Sequence, residues 1–254
     1  MPNWVENSLT ITGDIEQLNK LAEQVSQPYT QEVEDWQTHE ISEETVKGNF
    51  LLWNIVKPTD LDAYYERSER LVREAERIML ESHPNPPKPP TPEEMRDSLV
   101  EAFSKPIEVD LASVAQEFES KLAVENGWYY WNIRNWGTKW ELTEAWKEQF
   151  ADILQYSFQS AWSPPAEAIS LLAKQYPMLS FSMSGLDEGD NFAYAIEWEN
   201  GEMVSEEDLQ PSHELSIQFR GECWNCSTDT WEEYLENAEY REAYGCPERT
   251  EEDF

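Results

Sequence analysis

DILQYSFQSAWSPPAEAISLLAKQYPMLSFSMSG, residues 152–185, carries the reading that decides the fold. Its first part, DILQYSFQSAW, alternates apolar and polar positions, the period of a strand with one buried face. Ser-Pro-Pro then interrupts the pattern. Proline has no N–H to give a helix interior but suits a helix start, so AEAISLLAKQ reads as a helix. MLSFSMSG returns to alternation, giving strand, helix, strand. The N-terminal end repeats the theme. NSLTITG (7–13) alternates and stops at a glycine. Asp14 can cap a helix in IEQLNKLAEQV (15–25), which places Ile15, Leu18, Leu21, Ala22 and Val25 on one helical face. NFAYAIEWENG (191–201) alternates after the turn-rich LDEGD and reads as the return strand of a hairpin.

Between these parts lies a different texture. SQPYTQEVEDWQTHEISEETVKG (26–48) is polar and turn-rich and reads as irregular. DLDAYYERSERLVREAERIMLES, PEEMRDSLVEAFSK and PIEVDLASVAQEFESKLAVEN read as helices, and HPNPPKPPTP (83–92), with six prolines in ten residues, reads as a stiff extended linker. TEAWKEQFA (143–151) is open between a short helix and part of a long hairpin connection. In the tail, HELSIQF (213–219) alternates like a strand, and DTWEEYLENAEYREAY (229–244) reads as a helix. With the middle removed, the order is β-α-β-β-α-β with an added strand. That is an α+β, split βαβ, ferredoxin-like antiparallel sheet with helices on one face. The expected organisation is a core of 1–25 plus 128–204, a mostly helical insertion over 26–127, and an acidic extension over 205–254.

Charge is the strongest global signal. Of 254 residues, 18 are Lys or Arg and 52 are Asp or Glu, a formal net charge of −34. Residues 187–254 hold 21 acidic and 3 basic residues, which is −18 and more than half the excess. Such a chain repels phosphate backbones, so direct nucleic-acid binding is disfavoured and a basic partner is favoured. The bland alternative is solubility or adaptation to salt. The acidic residues singled out for a partner are Glu206, Glu207, Asp208, Glu232, Glu233, Glu236 and Glu239. The opening MPNWVENSLTITG lacks the basic and apolar regions of a secretory signal. Three cysteines do not make a secreted disulfide framework, so a cytoplasmic setting is expected.

Two constellations carry chemistry. NWGTKWEL (135–142) sets Trp136, Lys139 and Trp140 about a Gly-Thr turn. It reads either as a plug of the aromatic core or as a ligand site in which a cation lies over a ring. Cys223-x-x-Cys226, with Cys246 twenty residues on and His213 ten residues before, offers four soft ligands to tetrahedral zinc. A redox pair and ordinary cysteines remain open for the same residues. No cofactor other than that zinc is indicated. There is no Gly-x-Ser-x-Gly elbow and no closely spaced histidine pair, and no carboxylate pair stands out among 52 acids, so an enzyme is disfavoured and no catalytic residue is assigned.

Three blocks, MPNWVENSLTITG, NWGTKWEL and FQSAWSPPAEAISLLAKQYPMLSFSMS, resemble the YubB-type ferredoxin-like domain family of plasmids and bacteriophages. The resemblance covers roughly 1–25 and 128–200. Family members usually carry a cysteine after Met-Pro-Asn-Trp, where this chain has Val5, so a role for that cysteine is absent. The resemblance implies a mobile-element protein in a bacterial host and brings no catalytic residues. Together with the charge, it leads to the expectation of a non-enzymatic acidic protein. Such a protein would inhibit a host nucleic-acid-binding or defence protein by occupying its basic surface. The alternatives are an enzyme or small-ligand binder with a pocket near Trp136–Trp140, and a structural or assembly component.

Overall fold

The computed structural model describes residues 3–35, 38, 40–65, 127–226 and 238–248. They form two compact units, residues 1–57 with 132–254 and residues 58–131. Within the first unit, β1 (Trp4–Thr12) leads into α1 (Ile15–Val25). The Asp14 carboxylate accepts from the N–H groups of Glu16 and Gln17, which fixes where α1 starts. A two-stranded antiparallel hairpin, β2 (Tyr29–Glu34) and β3 (Ile41–Val46), comes after it. A 3-10 turn at Leu52–Asn54 is next, and α2 (Leu61–Tyr64) lies in the second unit. Then come α3 (Trp128–Trp136), β4 (Thr143–Phe150), β5 (Ile153–Ala161), α4 (Ala166–Gln175), β6 (Ser180–Asp187), β7 (Ala193–Glu199), β8 (Glu202–Leu209), α5 (His213–Arg220) and α6 (Ala238–Tyr244).

The six-stranded sheet has the order β4-β5-β1-β6-β7-β8, with every pair antiparallel. Strands β6, β1, β5 and β4 are the four strands of the split βαβ plan, and β7 and β8 extend it beyond β6. The fold is therefore α+β and ferredoxin-like, as the β-α-β-β-α-β order predicts. Along β1, Val5, Asn7, Leu9 and Ile11 are buried while the residues between them are not. They form one row of a layer with Leu154, Tyr156 and Phe158 of β5, Phe181 and Met183 of β6, and Ile196 and Trp198 of β7. Helices α1 and α4 cover it with Leu18, Leu21, Ile169 and Leu172, all fully buried. Each such side chain contributes about 1.5–3 kcal/mol relative to exposure.

Three sequence readings are corrected. HELSIQF is a helix: Ser212 accepts from the Leu215 N–H and Gly221, in the left-handed region at φ 77°, ends it. The caps at both ends override a short alternation. Residues 26–48 are not irregular, because Thr30, Val33, Ile41 and Val46 lie within the β2–β3 hairpin. TEAWKEQFA is a strand, the β4 edge of the sheet, with a register irregularity between Thr143 and Trp146. The acidic stretch 202–209, not assigned to the sheet from its sequence, is the opposite edge, β8. It is joined to β7 by a two-residue turn, Asn200-Gly201, with φ 53° and 80°. Both angles are positive, as a type I′ hairpin turn requires. Of the helix expected over 60–82, the described residues hold only the beginning, α2; the rest of it, the two helices after it and the proline-rich linker 83–92 lie outside the described residues.

One polar row crosses the apolar layer. The Asn7 amide donates to the carbonyls of Val5 and Phe158 and to the Ser160 hydroxyl, and its oxygen accepts from the Tyr194 hydroxyl. Tyr194 reaches across because Gly185 stands between it and Asn7 in the register. A Cβ at Gly185 would lie 2.6 Å from the Glu6 carbonyl oxygen and 2.6 Å from the Tyr194 ring. Burial holds the Tyr194 phenol well above its ordinary pKa, so it remains a donor. Gly185→Ala is expected to lower the unfolding free energy by about 1–3 kcal/mol, the range for overpacking a filled core. Urea denaturation followed by tryptophan fluorescence measures it, and an unchanged midpoint contradicts this account of the row.

Candidate functional site

The four soft ligands converge. His213 opens α5, Cys223 and Cys226 lie in the turn after Gly221, and Cys246 comes just after α6 and Gly245. Their ligand atoms all lie within 4.8 Å of one another. The Cys223 and Cys246 Sγ atoms are 3.8 Å apart, and Cys226 Sγ is 3.2 Å from His213 Nδ1. The backbone prepares this. The Cys226 N–H donates to the Cys223 carbonyl at 3.0 Å, closing the Cys-x-x-Cys turn, and the Cys246 N–H donates to the Arg241 carbonyl at 2.9 Å. Two helices thus end in left-handed glycines, Gly221 and Gly245, and each glycine turns the chain toward a cysteine. Burial raises the Cys226 and Cys246 thiol pKa values. A His/Cys cluster able to hold a metal ion is present, which meets the expectation from the spacing.

The surroundings hold the cluster against the sheet. The Arg241 guanidinium, buried, donates through Nε to the Asn225 carbonyl and ties α6 to the Cys-x-x-Cys turn. The Tyr244 and Ser216 hydroxyls, both buried, are 2.7 Å apart and join α6 to α5. Arg220 donates to the Asp187 carbonyl and pairs with Asp190 at 2.8 Å, and its guanidinium lies 4.4 Å over the Trp224 ring. The Asp187 carboxylate accepts from the N–H groups of Gly189 and Asn191, fixing the turn that Arg220 grips. Helix α5 lies against β1 and β6. There Leu186 and Ala193, on the face opposite α1 and α4, are buried.

The acidic residues are placed separately. Glu206, Glu207 and Asp208 are consecutive and exposed on β8, opposite Ile196, Ala195 and Tyr194. Glu239 is exposed on α6, and Glu232, Glu233 and Glu236 lie outside the described residues. At the hairpin end, Glu199 and Glu202 face each other across the ladder. Like charges directly opposite destabilise a pair. Among the described residues, no ion pair involves a carboxylate of β8.

The aromatic residues divide. Trp136 is 2 % exposed and donates from its indole N–H to the Val56 carbonyl, so it belongs to the core. Gly137, at φ 85°, lies against the start of α4, where a Cβ would meet the Pro164 oxygen at 2.9 Å. Thr138 is fully buried and donates to the Ala161 carbonyl. Lys139 Nζ lies between two rings, 4.5 Å from the centroid of Trp140 and 4.2 Å from that of Trp162, and Trp4 packs on Trp140 at 6.1 Å. The next residue, Glu141, was missed by sequence reasoning. Its carboxylate accepts from the N–H groups of Leu52, Trp53 and Leu142 and from the Tyr29 hydroxyl. A glutamate after a tryptophan gives no sequence signal for contacts nearly ninety residues away.

Residues 139–232 match the family model described as "Ferredoxin-like domain in Api92-like protein". Over those residues the chain is similar to the Api92-like ferredoxin-like domain. This agrees with the YubB-type resemblance of the sequence blocks. The matched stretch of the Api92-like domain runs further into the tail than the 128–200 of that resemblance and does not include β1. It holds His213, Cys223 and Cys226, and Cys246 lies beyond it. The solved structure of protein Api92 from Yersinia pseudotuberculosis is similar at 12% identity, covering 82% of this chain and 98% of that one, with a TM-score of 0.41. Comparison with curated proteins gives no match. No helix among the described residues is long and apolar enough to cross a membrane.

Glu141 gives a pH test. Burial is the largest influence on its carboxyl and raises the pKa from 4.5, against the pull of its four donors. The folded chain then holds this proton more tightly than the unfolded chain. The carboxyl's contribution is therefore greatest below the unfolded pKa and declines as the pH rises through the raised folded value. Urea titrations of wild type and Glu141→Gln from about pH 4 to about pH 7 are expected to move the stability difference in favour of the glutamine variant. A difference independent of pH contradicts the assignment.

Proposed function

We propose that this protein is a non-enzymatic binding protein whose acidic edge occupies the basic surface of a nucleic-acid-binding partner. The observation that carries the reading is β8. It is the outermost strand of the sheet, and Glu206, Glu207 and Asp208 are exposed along it without an ion-pair partner among the described residues. Successive side chains of a strand alternate faces, so Glu206 and Asp208 project from one side of β8, about 6.8 Å apart, and Glu207 projects from the other, which gives the edge negative charge on both sides. The Glu199–Glu202 juxtaposition is a local electrostatic penalty that a basic partner relieves.

An edge strand also exposes unpaired backbone groups, and charge there discourages pairing with another sheet. That role needs fewer acids than β8 carries and no concentration of charge in the C-terminal quarter. In this reading the setting is the cytoplasm of a bacterial host of a phage or plasmid, and the partner is a host defence or nucleic-acid-processing protein. The partner loses access to nucleic acid by steric and electrostatic competition. The ligand-site alternative is less supported, since Trp136 is buried and the chain's own Lys139 sits between Trp140 and Trp162.

The test compares immobilised wild type with a Glu206→Gln, Glu207→Gln, Asp208→Asn variant, using bacterial lysate at low and high salt and duplex DNA as competitor. At about 0.2–1 kcal/mol for each exposed pair, the variant is expected to bind roughly tenfold more weakly. Retention should fall with salt and with added duplex. Retention that ignores all three changes overturns the proposal.

A further inference from the structure

We propose that His213, Cys223, Cys226 and Cys246 form a closed, structural zinc site that clips the C-terminal extension onto the sheet. The distances carry it. Two thiolates, each about 2.3 Å from a tetrahedral zinc, stand about 3.8 Å apart, and a thiolate and an imidazole nitrogen stand somewhat closer. The Cys223 and Cys246 sulfurs are 3.8 Å apart and Cys226 Sγ is 3.2 Å from His213 Nδ1. A disulfide needs about 2.05 Å, so the two sulfurs are at the separation of co-ligands, not of a bonded pair. All four ligand atoms fall within one 4.8 Å envelope.

Three further features fit a structural ion. Four protein ligands leave no open position for water or substrate, as a catalytic zinc requires. The Cys-x-x-Cys turn is closed by its own backbone hydrogen bond and braced by the buried Arg241 on the Asn225 carbonyl, so the ligands are oriented by an outer layer. Helix α5 also needs such a tie. Ser216 is its one buried side chain, while Ile217 is 44% exposed, so apolar burial alone does little to hold it. Zinc at this point joins the start of α5, the turn after it and the segment just beyond α6.

The site is independent of the acidic edge, so its test does not depend on partner binding. The full chain is purified under reducing conditions without chelator, and its metal content and native thiol reactivity are measured. One zinc per chain is expected, with three thiols that react only after chelator is added. Replacement by cobalt is expected to give the visible bands of a tetrahedral thiolate site. Cys246→Ser should weaken retention of zinc against a colorimetric chelator by more than the roughly 10–100-fold that loss of an outer-sphere partner brings. Circular dichroism shows whether that variant keeps the sheet; if it does not, the wild-type measurements decide. Metal-free protein with three freely reactive thiols and no cobalt spectrum overturns the proposal, as does a Cys223–Cys246 disulfide found by mass spectrometry.

Discussion

The double-sided pairing of β1 is the constraint on which the rest of this molecule depends. All nine of its residues have partners on β5, and eight have partners on β6. A strand with neighbours on both sides has no freedom to slip, since a shift of one residue would send Val5, Leu9 and Ile11 to the wrong face. Asn7 strengthens that specification. It is a polar residue in an apolar row, and it is satisfied in one register alone, with Phe158 and Ser160 on one side and Tyr194, across Gly185, on the other. A buried amide stripped of its partners costs about 1–3 kcal/mol, so a wrong register is penalised twice, by misplaced methyl groups and by an unpaired amide.

From that centre the molecule extends in two directions. The face opposite α1 and α4 receives α5, and the sequence continues from there into the cysteine turn. Arg220 and Asn225 connect that turn to the β6–β7 corner through Asp187 and Asp190. The edge beyond β7 carries the carboxylates of β8. Sheet extension and tail packing therefore share the same local foundation, the turn after β6. The charge is unevenly spread across the sheet: the edge strand β8 carries Glu202, Glu206, Glu207 and Asp208, while β1, β5 and β6 carry between them Glu6 and Asp187.

Much of this was legible because period and punctuation agree in the central elements. β5, β6 and β7 alternate cleanly, α4 begins with two prolines, and α1 begins at an aspartate whose cap is present. The errors lie where local pattern and environment disagree. HELSIQF has strand-like alternation, but so short a run gives too few periods to separate two from 3.6, and Ser212 and Gly221 are the features that settle it. β8 was hidden because an edge strand facing water on both sides needs no apolar alternation, so its acids mask its conformation. The β2–β3 hairpin was hidden for the same reason, its residues being mostly exposed. In the site, the Cys-x-x-Cys spacing pointed to a cluster. The approach of Cys246 and His213 depends on two glycine-terminated helices meeting. Arg241 and Glu141 act through contacts that sequence proximity does not reveal.

The Asn200-Gly201 turn has an implication for how this surface can evolve. Past the two-residue link the β7–β8 ladder shifts register between Glu197 and Trp198, and only beyond that irregularity are the carboxylates of the outer strand indexed to the core residues opposite them. Losing the extra residue of that irregularity would transpose Glu206 and Glu207 between the two sides of the sheet and rewrite the electrostatic pattern in a single step. Point substitutions, by contrast, would retune it one charge at a time. The charge of this edge thus has both a coarse and a fine adjustment within one short strand, and neither reaches the centre of the sheet.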